Sequence, residues 1–391
     1  MAALFLFVSV VTLCAQSYVP GDTYFGKDNY IEYHAGNLPL IISVPHGGRL
    51  EPTEIPDRDC EGCVYVQDSY TLELARQIKD AVVRQTGCYP HVVCNLLHRK
   101  KLDMNRDISE ATDSNATLDV YWKDYQGFID SAKANIRQRF GKGLFIDLHG
   151  HGHTKQRIEF GYLLYGSQLR ESDSVMNTAN RIRVSSIRNL VSNNVGGRSH
   201  AELIRGQHAL GTLFADRGFP GVPSKQDPFP LTGDDYFNGG YNTLEHGSNP
   251  GGTIDAIQME LYSAIRFNTA QRKAFADSFA TVVRSYLERH YFPDIAQNAC
   301  QTSTVPERTI DDTEVYPNPA TEHVIVTTHG EQSDYTTIQL IDMMGRGVVV
   351  NVVRTSPLTL DVSTLAQGTY ILQLVSSPGI PTTPTMIVVA R

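Results

Sequence analysis

Residues 143–153 read GLFIDLHGHGH. The opening six, GLFIDL, are short, apolar and without helical spacing, so they read as a buried strand, with His149 placed just after it in a glycine-rich turn. A second stretch is built the same way. LPLIISVP at residues 38–45 is a β-branched apolar run closed by Pro45, and His46, Gly47 and Gly48 follow it. Working outward, HVVCNLL at 91–97 and IDAIQMEL at 254–261 read as further strands. Between them, residues 68–85 carry helical periodicity through Leu72, Leu74, Ala75, Ile78 and Val82. Residues 121–139 read as an amphipathic helix and residues 270–290 as a closing helix. Strands alternating with helices predict an α/β domain whose largely parallel sheet is covered on both faces.

The chain has 391 residues, more than one ordinary core holds, which points to two domains. Near residue 300 the texture changes. A polar, aperiodic stretch over 301–313 reads as a linker. After it come short β-branched runs separated by turn residues, among them HVIVTTH, TYILQLV and TMIVVA. That spacing predicts a small all-β sandwich over 314–391. The net charge of -8, with no basic stripe, argues against a nucleic-acid partner.

The N-terminus, MAALFLFVSVVTLCAQS, holds an apolar run from Ala2 to Leu13 that is too short to span a bilayer as a helix. It reads as a secretory signal over residues 1–17, cleaved near Gln16, although no Lys or Arg precedes the run; a buried strand is the alternative. Cys14 is a poor fit to a lipid-attachment cysteine, because Leu13 precedes it. No other segment is apolar enough to cross a membrane. Cleavage leaves five of six cysteines: Cys60, Cys63, Cys88, Cys94 and Cys300. An exported protein meets an oxidising compartment, so two disulfides among the first four are favoured over a four-cysteine zinc site, with Cys300 left over.

The residues that carry chemistry stand at strand ends, where open α/β sheets bind ligands. His46, His149 and Asp68, from three separate segments, are a suitable donor set for a catalytic zinc that keeps one position open. A lone strand-end histidine is usually structural; two in glycine-rich strand-end turns favour a metal. LLHRKKLDMNRD supplies Arg99, Asp103, Asn105 and Arg106, either a solvated charged loop or, through an arginine fork, an anchor for a substrate carboxylate. Glu260 emerges from an apolar strand, where a carboxylate is costly unless it is paired or functional. Beside a metal it would be a general base. Asp147 is placed to orient a neighbour, and His151 and His153 are open between ligand, supporting donor and solvent-facing roles. Gly239, Gly240 and His246 read as a pocket-lining loop.

The order SVPHGG, QDSYT, HRKKLDMNRD, IDLHGH, FNGGYNTLEHG, IQMELY resembles the N-formylglutamate amidohydrolase family, across residues 38–290. The resemblance implies a phosphorylase/hydrolase-like mixed sheet flanked by helices, similar to that of zinc carboxypeptidases and aspartoacylases. It implies zinc held by His46, Asp68 and His149, with Glu51 competing with Asp68 for the acidic place; the carboxypeptidase spacing would put that ligand at Arg49, so that form is absent. It further implies Glu260 and Arg99 as catalytic residues, and Asn105, Arg106 and His246 as substrate-binding residues. Two departures stand out: Gly150 where family members often carry serine, and the insertion holding Cys60 and Cys63. The family's cytosolic members act in histidine breakdown, so for an exported chain the reaction type carries over better than the substrate.

The tail resembles the type IX secretion C-terminal sorting domain of Bacteroidetes through VYPNPATEHVIV, IDMMGRGV, LDVSTLAQGTYILQL and MIVVAR. A generic carbohydrate-binding or adhesion sandwich is the alternative, but no cluster of exposed aromatics marks a sugar platform. The expected domain order is therefore signal peptide 1–17, zinc hydrolase 18–300, linker 301–313 and sorting sandwich 314–391. The expected product is a secreted or cell-surface enzyme that cleaves an amide of an N-acyl amino acid or peptide with zinc-activated water. Its partners would be the small-molecule or peptide substrate and the type IX secretion machinery. The rival readings are a peptidase or cell-wall amidase acting on larger substrates, and a binding module that has lost catalysis.

Overall fold

The apolar runs assemble into one sheet. In the computed structural model, residues 18–295, 314–327, 335–342, 347–348, 351–353, 358–376 and 385–390 are described. The proposed signal peptide, the linker, Cys300 and the Gly345-Arg346 pair lie outside them. The chain divides into two units between Gln301 and Thr302.

The first unit is built on eight strands: β1 (Thr23–Phe25), β2 (Ile31–His34), β3 (Leu40–Val44), β4 (His91–Asn95), β5 (Gly143–Gly150), β6 (Ile158–Gly161), β7 (Gly221–Val222) and β8 (Ile254–Leu261). Their order across the sheet is β1-β2-β4-β3-β5-β8-β6-β7. The central four, β4-β3-β5-β8, run parallel. Antiparallel β2 flanks them on one side and antiparallel β6 on the other, so the sheet is mixed.

Both faces are covered, because each central strand is apolar on both sides. Leu144, Ile146 and Leu148 of β5 and Ile257, Met259 and Leu261 of β8 join one core. There they meet Leu74 and Ile78 of the Thr71–Thr86 helix and Phe275 and Phe279 of the Thr269–His290 helix. Phe145 and Ala256 face the other way, into a core with Tyr125, Ile129, Ala132 and Ile136 of the Asp119–Phe140 helix. The period-2 alternation of a strand therefore puts Asp147, His149 and Glu260 on the face of that second core.

Cys60 and Cys63 are bonded to each other. Cys88 is disulfide-bonded, whereas Cys94 is a free thiol buried in β4. The expected pairing of the first four cysteines into two bridges therefore does not hold, because Cys94 stays free inside the first apolar core. Among the described residues, no helix is long and apolar enough to cross a membrane.

The second unit has two four-stranded antiparallel sheets, in the strand orders 351–353, 358–361, 323–327, 314–316 and 347–348, 335–342, 368–376, 385–389. Val324, Val326 and Leu360 from one sheet share a core with Leu340, Leu372 and Ile387 from the other, which makes the sandwich.

Candidate metal centre and active site

His46 leaves the end of β3 after Pro45. Gly48 lets the chain pass against the backbone of Leu96 and Leu97, where a Cβ would collide with the carbonyl groups. The Asp68 N–H donates to His46 O at 3.0 Å, tying the QDSYT loop to the SVPHGG turn. Thr71 Oγ1 donates back to Asp68 O at 2.7 Å as the next helix begins. His149 lies near the end of β5, beside Glu260 in the parallel register with β8.

These turns bring three donors together. His46 Nδ1 is 3.4 Å and His149 Nδ1 is 3.0 Å from Asp68 Oδ2. The two imidazole centroids are 4.9 Å apart. His46, Asp68 and His149 are all buried, and their ligand atoms fall within 4.8 Å of one another. A tetrahedral zinc with bonds near 2.0–2.1 Å spaces its ligands by roughly 3.3 Å, so the two donor separations at Asp68 match such a site.

The far nitrogen of each ring faces a buried carboxylate. His46 Nε2 is 2.6 Å from Asp103 Oδ1, and His149 Nε2 is 2.9 Å from Asp147 Oδ2. Such partners fix the tautomer and present the other nitrogen to a metal. His46 Nδ1 has no hydrogen-bond partner, although it is buried. An orphaned, inward-facing imidazole nitrogen beside a buried carboxylate fits a cation.

The supporting shell is continuous. Arg99 Nε donates to Asp103 Oδ2 at 2.9 Å, and Arg58 Nη2 lies 3.7 Å from the same oxygen. Ser43 Oγ and Asn242 Nδ2 donate to Asp147 Oδ1. Asn105 Nδ2 is 3.3 Å from His149 Nε2, and Asn105 Oδ1 accepts from the Asn242 N–H at 2.8 Å. Arg266 is buried, and its guanidinium donates to Leu261 O, Ser69 O and His151 O at 2.8–2.9 Å. Those carbonyls belong to the segments that carry Glu260, Asp68 and His149. Gly150 is required beside it, since a Cβ there would overlap the Arg266 side chain.

Charge follows from this packing. Burial opposes a proton on His149, but the carboxylates of Asp147 and Asp68 outweigh it and hold the imidazole well above its ordinary range. Burial alone would raise Asp68, yet the two neighbouring imidazoles hold it well below the usual carboxylate range. Asp103 is held low in the same way, against its burial, by His46 and Arg99. Glu260 goes the other way: burial, only partly offset by His149, pushes its carboxyl up to about 8. Gln258 Nε2 donates to Glu260 Oε1 at 2.9 Å.

The remaining sequence candidates are placed as follows. Glu51 is exposed and paired with Lys100 at 2.7 Å, so it does not join the imidazoles. Arg106 pairs with Glu110 at 2.7 Å and also donates to Asn105 O. His246 is not brought to the metal-ligand group. Its ring packs on Phe145, four residues or about 13 Å back along β5 from His149, and its nitrogens meet Gln126 Oε1 and Lys133 Nζ. Sequence reasoning missed Arg58, Ser43, Asn242, Glu159 and Arg266. Arg266 and Glu159 carried a signal, each as a lone charge in a short apolar segment, SAIRF and IEFG.

The C-terminal sandwich matches the family model described as the secretion system C-terminal sorting domain over residues 314–389. This segment is a sorting domain. With it the chain is marked for export, to the exterior or the cell surface. A comparison with curated protein sequences finds no match. Among solved structures, the chain is similar to an N-formylglutamate amidohydrolase from Ralstonia eutropha, at 13% identity and a TM-score of 0.39, over 64% of this chain and 94% of that one. It is similar to a gene product of Agrobacterium tumefaciens at 12% identity and a TM-score of 0.41, over 66% and 95% of the two chains. It is also similar to the CwlD amidase of Clostridioides difficile, solved with the GerS lipoprotein, at 11% identity and a TM-score of 0.27, over 64% and 98%. The sorting domain lies outside the residues of the metal-ligand group.

Proposed function

We propose that residues 18–300 form a zinc-dependent amidohydrolase, exported by a type IX secretion system, that cleaves the amide of an N-acyl amino acid or peptide. The observation that carries this reading is the meeting of His46, Asp68 and His149 with Glu260 alongside in register. His46 Nδ1, His149 Nδ1 and Asp68 Oδ2 would hold the ion, and Asp103 and Asp147 would fix the two rings. When bound, zinc supplies a Lewis acid and makes water nucleophilic near neutral pH.

The chain's own residues supply the rest. Glu260 is a poised base: its carboxyl sits near 8 without a cation, and a nearby positive charge favours the carboxylate form. As carboxylate it takes the proton of the attacking water at Oε and returns it to the leaving nitrogen, so the acyl carbon gains oxygen as the C–N bond breaks. Arg99, fixed by Asp103, and Arg106, beside Asn105, are the cationic side chains assigned to the developing oxyanion and the substrate carboxylate. His246 supports Gln126, which in turn donates to Asn242.

The test is a panel of N-formyl amino acids, N-acetyl amino acids and peptides, assayed with wild type and Glu260→Gln, with and without chelator. Hydrolysis abolished by chelator and restored by zinc supports the reading. Equal rates in wild type and Glu260→Gln overturn the assigned base. An inert protein that binds substrate without metal would indicate a binding module instead.

A further inference from the structure

Glu159 lies on β6, directly opposite Glu260 in the antiparallel register with β8. Residues opposed in this way present their side chains on one face. His149, Glu260 and Glu159 therefore form a row across three strands, with neighbours roughly 4.8 Å apart in the hydrogen-bonding direction.

Glu159 is fully buried, and both of its oxygens are committed. Oε1 is 2.8 Å from His153 Nδ1, and Oε2 accepts from the Phe237 N–H at 2.8 Å. His153 is the outward member of this pair. Its side chain is 19% exposed, and its ring stacks on Phe237 with centroids 4.7 Å apart. Phe237 begins the FNGGYN segment, which runs on to Asn242, the partner of Asn105 and Asp147. One loop thus joins the His153–Glu159 pair to the shell of His149.

His151, His153 and Glu159 are close enough to suggest a second cation site. The hydrogen bonds argue against one. His151 Nε2 meets Arg157 O at 2.8 Å, and His151 Nδ1 accepts the His153 N–H at 3.1 Å, so neither ring nitrogen is left for a metal. His153 differs. Its Nδ1 is held by Glu159, and no hydrogen bond occupies its Nε2 among the described residues. A buried carboxylate that locks one imidazole nitrogen and turns the other outward is how a protein aims a histidine at a ligand. Arg99 and Arg106 follow β4, whereas β6 lies beyond β8 in the sheet, so His153 would add a polar group on the opposite side of Glu260 from the arginines.

We infer that His153, aimed by Glu159, is a substrate-contacting residue whose Nε2 hydrogen-bonds an oxygen of the N-acyl amino acid or peptide lying beside Glu260. This inference rests on the amidohydrolase reading and adds a recognition element on the β6 side of the site. Glu159 acts through His153 and is a positioning residue.

The experiment uses the full mature chain with His153→Ala, His153→Gln, Glu159→Gln and Glu260→Gln. Zinc content is measured by elemental analysis, and kcat and KM on the best substrate of the panel. The affinity of the chelator-treated protein for N-acetyl-L-alanine is measured by calorimetry. The expected result for His153→Ala is a loss in kcat/KM of about 10- to 100-fold, with zinc still bound, and partial recovery on adding imidazole. N-acetyl-L-alanine binds the chelator-treated variant about tenfold more weakly, and Glu159→Gln moves both readouts in the same direction. His153→Gln guards against a folding defect in the alanine variant. Unchanged kcat/KM and unchanged binding in both His153 variants overturn the inference, as does loss of zinc from them. A dead Glu260→Gln beside an unaffected His153→Ala sinks this inference alone. A wild type that hydrolyses no member of the panel sinks the amidohydrolase reading, while the calorimetry still decides whether His153 meets the ligand.

Discussion

His46 Nε2 stands 2.6 Å from Asp103 Oδ1, a carboxylate buried 57 residues further along the chain, while His46 Nδ1 faces Asp68 without a hydrogen bond. Asp103 also receives Arg99 Nε and the Asn105 N–H. One side chain thus fixes a proposed metal ligand and anchors the loop of the proposed substrate-binding residues. Asp103→Asn keeps the size and loses the charge, and zinc affinity is expected to fall about 10- to 100-fold. Competition with a chromogenic chelator measures this, and an unchanged affinity would remove Asp103 from the metal site.

Metal uptake should release protons. Without a cation, His149 is held well above its ordinary range and shares its Nδ1 proton with Asp68. A metal takes only the deprotonated nitrogen, so affinity must weaken as pH falls. Calorimetric titration with zinc in two buffers of different ionisation enthalpy would show it. Identical heats in the two buffers contradict the assignment.

Glu260→Gln should keep its metal and lose turnover. The amide preserves shape and burial but cannot take a proton, so kcat is expected to fall by about 10²- to 10⁴-fold. Zinc content equal to wild type, measured on the same sample, separates loss of the base from loss of the site.

Arg266→Met removes three donors from Leu261 O, Ser69 O and His151 O. Stability should fall by about 3 kcal/mol, because buried carbonyls are left without partners and the charged donor is lost. Gly150→Ala should act on the same contact by crowding the guanidinium. Urea denaturation reads the change, and an unaltered midpoint for both variants would deny the staple.

His91 gives an acid limit to stability. Burial, with Arg139 nearby, pulls its imidazole down to about 3. The unfolded chain, with an ordinary value near 6.5, binds the proton more readily between those limits. Stability from this group is therefore present above about pH 6.5 and lost as pH falls toward 3, on the order of 5 kcal/mol in all. His91→Gln should flatten that part of the pH–stability curve measured by urea denaturation. A slope unchanged in the variant would assign the acid sensitivity elsewhere.

Local pattern and tertiary arrangement contributed separately to this protein. The apolar strand runs, the amphipathic helices and the sandwich texture after residue 300 were legible directly, because burial against a sheet imposes a period that a short stretch displays by itself. IDAIQMEL matches β8 end to end, and HVVCNLL ends two residues past β4. His46, Asp68, His149 and Glu260 were legible as candidates for a related reason: polar residues at the mouths of buried strands are costly unless used.

What the sequence could not decide was which of these side chains meet. Pairing β3 with β5 and β5 with β8 is a long-range choice, and it alone puts His46 and His149 around one carboxylate and sets Asp68 apart from Glu51. The same folding sends His246 back to Phe145, and commits Arg106 to Glu110. It also turns Arg266 and Glu159 inward from segments with no shared motif. Periodicity is a property of neighbours in the chain; a site is a property of strand order, and hydrogen-bond partners more than a hundred residues apart leave no trace in spacing.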